Sequence, residues 1–106
     1  MFSRIGTFDV DPSKLTELVA HFHDQVVPAF SKHAGFLGYQ AYVDHECGRF
    51  VGVSLWSTRL ELEASGGTAK HALEVAFRIG ATPVGEPQIL EMAFNARPSD
   101  RGAPGA

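Results

Sequence analysis

The chain has 106 residues, of which 44% are hydrophobic, 10% aromatic and 20% charged, with a formal net charge of -3. That length supports one domain with one core, and the apolar fraction is that of a globular chain. Scattered basic residues on a mildly acidic chain argue against a nucleic-acid partner, and no apolar run approaches the roughly 20 residues that span a bilayer, so no membrane partner is expected.

The single cysteine, Cys47, excludes an internal disulfide framework and a cysteine-based zinc site. The opening residues Met1-Phe2-Ser3-Arg4 lack the apolar stretch of a secretory signal, and a cytoplasmic location is the expectation.

Residues 1–10 read as a strand, with Ile5, Phe8 and Val10 as its apolar positions and Gly6 weakening the alternation. Asp11-Pro12 is a helix start, because Asp accepts from free backbone N–H groups and Pro has none to satisfy. Leu15, Leu18, Val19, Phe22, Val26, Ala29 and Phe30 then form one apolar stripe on a helix to about Lys32. Pro28 interrupts it and predicts a kink or an altered last turn, and Gly35 is the expected stop.

Residues 36–44 predict the second strand. Strict alternation sends Leu37, Tyr39, Ala41 and Val43 to one face and Phe36, Gly38, Gln40 and Tyr42 to the other. A polar hairpin loop ending in Gly48 leads to a third strand over 49–57, with Val51, Val53 and Leu55 opposite Phe50, Gly52, Ser54 and Trp56. Neither face is polar, so both sides of the sheet must be covered. A short helix is expected over 58–65, a break at Gly66-Gly67, and a second helix capped by Thr68. A last strand over 88–97 follows a Gly/Pro loop, and 98–106 is expected to be a disordered tail.

The order is β-α-β-β-α-β, which predicts an α+β, ferredoxin-like fold: a single domain over 1–97 with an antiparallel sheet and both helices on one face. The helices leave the other face bare, and a second copy of the chain is the simplest cover.

Four segments carry a resemblance: Val27-Pro28 late in the first helix, Gly35-Phe36-Leu37-Gly38-Tyr39 entering the second strand, Val53-Ser54-Leu55-Trp56-Ser57 closing the third, and Gly85-Glu86-Pro87 before the last. Together they resemble the antibiotic-biosynthesis-monooxygenase type of the dimeric α+β-barrel superfamily. The resemblance implies a homodimer whose paired sheets close a barrel, and a cavity between each sheet and its own helices. It also implies cofactor-independent oxidation of polycyclic phenols, with no flavin, haem or metal. The haem-degrading branch of the superfamily needs an Asn on the first strand, a Trp and a helical His. Trp56 and His71 match the last two, but residues 2–10 contain no Asn.

Trp56 shares its strand face with Gly52 and Ser54, small residues that leave room for a cavity, so its indole either lines a pocket or fills the core. His71 is the candidate catalytic base for a phenolic proton, with His23 as the second; an exposed helix residue is the plain alternative for a histidine without a visible partner. Tyr39 and Phe22 join Trp56 as candidate substrate contacts, and Arg4 and Arg49 place a charge either at a cavity mouth or in solvent at a strand edge. The five histidines lack metal-ligand spacing, and no metal is expected. Three functions follow: a cofactor-independent monooxygenase acting on a small aromatic or polycyclic substrate, a non-catalytic dimer binding a small molecule or serving a stress role, and a haem-binding or haem-degrading protein.

Overall fold

The computed structural model describes residues 1–98; most of the expected tail lies outside the described residues. Strand β1 (Phe2–Asp9) is followed by a helical segment made of a 3-10 turn over Pro12–Lys14, helix α1 (Leu15–His21), a π turn (Phe22–Val26) and helix α2 (Val27–Ser31). The hairpin β2 (Phe36–Asp44) and β3 (Arg49–Trp56), helices α3 (Arg59–Ala64) and α4 (Gly66–Ile79), and the short strands β4 (Thr82–Pro83) and β5 (Gln88–Glu91) complete it. The sheet runs β2-β3-β1, and both β4 and β5 pair antiparallel with the free edge of β1. This is the expected antiparallel sheet with helices on one face.

Local chemistry starts each helix as expected at Asp11, whose carboxylate accepts from Ser13 N–H at 2.9 Å. Thr58 caps α3 by accepting from Glu61 N–H at 3.1 Å, and Glu61 reaches back to the Thr58 hydroxyl at 3.0 Å, a variant of the capping box. Pro28 leaves its mark one turn upstream. It offers no N–H to the Asp24 carbonyl, and its ring crowds that carbonyl, so the chain widens into the π turn over Phe22–Val26 before α2 resumes.

Three expectations are corrected. Gly66 and Gly67 do not break the helix but form the first turn of α4. The first helical N–H groups need no intrahelical partner, so glycine is tolerated there, and Thr68 is inside the helix instead of capping it. The last strand ends at Glu91, not 97, because its partner runs out: Phe2 faces Glu91 and Met92 N–H donates to the Met1 carbonyl. Most consequential is β2. Its register against β3 shifts between Phe36 and Gly38. This bulge at Leu37 reverses the alternation, so Phe36 and Tyr39 stand on the same face and both pack towards the helices.

The core lies between the sheet and the helices. Phe8, Phe50 and Trp56 from the sheet meet Leu15, Leu18, Phe22, Val26 and Phe30 from the first helical segment. Leu62, Ala72 and Ala76 add α3 and α4 to it. The small residues of α4 let it lie close to α1, where buried His21 donates Nε2–H to the Ala72 carbonyl at 3.1 Å.

The β2–β3 hairpin is tied to β1 at one end, where Arg49 grips the Asp9 carboxylate with two N–H groups at 2.9 and 3.2 Å. Next to this pair Gly48 holds φ at +77°, and a side-chain carbon there would fall on the Val10 carbonyl. A left-handed non-glycine residue costs about 1–2 kcal/mol before any clash. Gly48→Ala is therefore expected to lower Tm by at least about 5 °C in a thermal melt followed by circular dichroism.

Candidate functional site

Two adjoining cavities lie between β1 and the helices. The inner one, of about 50 Å³, is walled by Phe8, Phe22, Phe30, Tyr39 and Leu73, with Arg4, Gly52 and Ser54 along its sheet side. The outer one, of about 190 Å³, shares Gly6, Phe8, Leu73 and Pro87 with it and adds Phe77, Pro83 and Glu86 at the mouth. Pockets for drug-sized ligands occupy about 300–1,000 Å³. Both volumes lie below that range, so the space suits a single ring better than a fused polycycle.

Alternation and close approach build the inner wall. Arg4, Gly6 and Phe8 share one face of β1, as Gly52 and Ser54 share one face of β3. Gly52 has no side chain, and the Tyr39 hydroxyl occupies the space where a Cβ would stand. Tyr39 in turn stacks on Phe22, with ring centroids 6.0 Å apart, and Phe22 stacks on Phe50 at 4.7 Å. Burial pushes the Tyr39 hydroxyl well above its ordinary pKa, so it stays a neutral donor.

Arg4 reaches from β1 to the junction of α3 and α4. Its guanidinium donates to the Leu62 carbonyl at 2.8 Å and to Ser65 Oγ at 3.1 Å. Burial lowers its pKa, yet a guanidinium remains charged at any pH at which a protein is folded. No carboxylate pairs with it among the described residues.

Of the residues singled out from the sequence, Tyr39, Phe22 and Arg4 line the inner cavity together. Trp56 does not. Its side is the helix side of the sheet, but the indole is 0% exposed, packed edge-on against Phe30 and Phe36. Its N–H is already given to Ser54 Oγ at 3.0 Å. His71 is 73% exposed, 4.0 Å from Glu74, on a separate pocket of about 560 Å³ between the helices that it shares with His21, Lys32 and Thr68. His23 is 83% exposed on the π turn beside Asp24. Neither histidine reaches the cavity, and the one nearest Trp56 is His33, which hydrogen-bonds Thr68. Trp56 and His71 therefore stand apart, one in the core and the other on the helix surface. Among the described residues no three His, Cys, Asp or Glu side chains gather as a metal site, and no helix is long and apolar enough to cross a membrane.

The wall residues Phe8, Phe30 and Leu73 were legible only as core. The signal for Arg4 was its parity with Gly6 and Phe8, a charge on the buried face of a strand.

Residues 1–73 match the family model for antibiotic biosynthesis monooxygenases. The chain belongs to that family. A relative in Mycobacterium tuberculosis, an uncharacterized protein, is 26% identical over 97% of this chain; the chain spans only 44% of that relative's length. Two crystal structures share the fold. SnoaB, a cofactor-independent oxygenase from Streptomyces nogalater, superposes with a TM-score of 0.65 at 16% identity, over 89% of this chain and 94% of its own. The monooxygenase from the gene ActVA-Orf6 of Streptomyces coelicolor, in complex with nanaomycin D, gives 0.64 at 19% identity, over 91% and 88%.

In this family member Tyr39 and Gly52 meet in close contact on the cavity wall. Gly52→Ala would press a methyl group onto the hydroxyl, and overfilling a packed site costs about 1–3 kcal/mol. The expected result is a lower urea midpoint together with a displaced Tyr39 ring resonance in the NMR spectrum.

Proposed function

We propose that this chain is a cofactor-independent monooxygenase acting on a small, flat aromatic substrate in the cavity between its sheet and helices. The observation that carries the reading is the wall of Phe8, Phe22, Phe30 and Tyr39 around a space with few polar groups, which suits an arene oriented by a small number of hydrogen bonds. The fold it shares with SnoaB and the ActVA-Orf6 monooxygenase supports the same reading. The reaction balances without a cofactor. A ring methylene activated by an adjacent phenol gives up its two hydrogens and four electrons to O₂; one oxygen atom becomes the carbonyl and the other leaves as water.

A non-catalytic binding module is the second reading. It is favoured by one feature: no carboxylate or imidazole is among the residues lining the inner cavity, so no acid–base pair stands ready there. Incubating the protein with an anthrone-type phenol under air separates the two. The enzyme reading expects quinone above the protein-free rate, and Leu73→Trp, which adds bulk to a residue lining both cavities, is expected to lower kcat/KM at least tenfold. Arene binding without quinone would leave the binding module.

The bare sheet face completes the proposal, with a second copy of the chain as its partner. Val51, Val53, Leu55 and Ile5 are only half-buried, while Tyr42 and Leu90 are more exposed still. Pairing of this face with its copy would form an obligate, largely apolar interface of more than about 2,000 Å². Light scattering is expected to return a dimer mass at micromolar concentration. Val53→Asp should yield monomer or unfolded chain, since a carboxylate buried there without a partner costs several kcal/mol, roughly the penalty for stranding one charge of a buried pair.

A further inference from the structure

We propose that the two adjoining cavities take their ligand as an oxyanion, an aromatic ring bearing an ionised oxygen, with that oxygen held in the inner one by a cross-strand row of three donors: Arg4, Ser54 and Tyr39. The proposal rests on the reading of the cavity as a ligand site and adds the charge state of the ligand and the residues that select it.

Register places the three side by side. Arg4 on β1 is opposite Ser54 on β3, and Ser54 is opposite Tyr39 on β2. Directly opposed residues in antiparallel pairs share a face, with Cβ atoms about 4.5–5.5 Å apart. All three line the inner cavity.

Each has hydrogen-bonding capacity left over. Arg4 spends one N–H of each terminal nitrogen on Ser65 and Leu62. Its Nε–H and the other terminal N–H groups have no acceptor among the described residues. Ser54 Oγ accepts from Trp56, which leaves its own proton to donate. The Tyr39 hydroxyl makes none of the side-chain hydrogen bonds that hold the rest of the core.

The row therefore presents donors and a positive charge, in a cavity whose lining includes no carboxylate or imidazole. A cation in an apolar wall is stabilised by an anion of the ligand, and a neutral arene would leave both charge and donors unmet. An acidic phenol or enol bound as its conjugate base supplies Arg4 with a counter-charge and the row with an acceptor. An opposite charge this close lowers an acid's pKa by about 1–3 units, so Arg4 would ionise the ligand without a protein base, its proton passing to solvent. An aromatic carboxylate offers the same chemistry.

The test uses the full chain and three probes: 4-nitrophenol, whose phenolate is yellow; 4-nitroanisole, its neutral counterpart; and 4-nitrobenzoate. Cavity occupancy is read from the ring resonances of Phe22 and Phe30 by NMR. Wild-type protein is expected to bind nitrophenol as the phenolate, with its titration shifted at least one pH unit below that of the free compound. Arg4→Gln should weaken phenolate binding at least tenfold while binding nitroanisole as wild type does. Arg4→Lys should restore part of the loss, and Tyr39→Phe should weaken phenolate binding by a smaller factor. Nitrobenzoate binding more tightly than nitrophenolate, with the same dependence on Arg4, would support the oxyanion row and assign it to carboxylates.

Nitrophenol bound in its neutral form by the wild-type protein, or bound equally well by a folded Arg4→Gln, would overturn the oxyanion row and leave the cavity reading standing. Failure of all three probes to shift Phe22 and Phe30 would overturn the cavity reading and the row with it. If Arg4→Gln does not fold, the titration of nitrophenol on wild-type protein decides alone.

Discussion

The one-residue slip in the β2–β3 ladder, between Phe36 and Gly38, is the constraint on which the rest of the molecule depends. With the bulge, Phe36 covers the Trp56 indole and Tyr39 is carried to the same face two β3 rows away. Without it, one of the two would stand on the far face of the sheet, since side chains alternate strictly along an unbroken strand. Either the Trp56 end of the core would lose its lid or the cavity would lose its tyrosine. The bulge keeps both.

From that position Tyr39 determines how the helices sit. Its ring stacks against Phe22 and lies 6.3 Å from Phe30, residues from the π turn and from α2. The π turn itself answers to Pro28, so a proline that denies one hydrogen bond also displaces the helix segment that roofs the cavity. Gly52 contributes by absence: the space its missing side chain leaves is where the tyrosine hydroxyl lies. The hollow thus has a packing origin as much as a functional one, with aromatic walls and a small-residue side.

A charge within such walls is unusual, because a charged group buried among apolar ones loses its hydration and needs compensation. Arg4 obtains part of it from Leu62 and Ser65 at the α3–α4 junction. Those contacts also fasten β1 to the helical layer, so Arg4 has a structural use whatever the cavity holds. Trp56 bears on the same wall indirectly: by donating to Ser54 Oγ it orients a hydroxyl that faces the cavity.

Much of this protein was legible in its sequence. Apolar periodicity located the strands and helices, Asp11-Pro12 marked the first helix, and the succession of elements fixed the ferredoxin-like class, because these signals act between near neighbours in the chain. The face assignment of β3 followed from the same alternation, which no bulge disturbs in that strand. Tertiary structure decided the rest. Whether Phe36 and Tyr39 share a face depends on the partner strand, since a bulge is defined only by two residues opposing one. Trp56 was expected beside a gap made by Gly52 and Ser54, but the space around it is filled by Phe30, Phe36 and His33, from other elements. His71 offered suitable chemistry, yet α4 turns its small face, Ala72 and Ala76, to the core and leaves His71 outside. Residue type and spacing state which side chains are available for chemistry; only the packing of distant segments, through burial and hydrogen-bond satisfaction, determines which of them meet at one cavity.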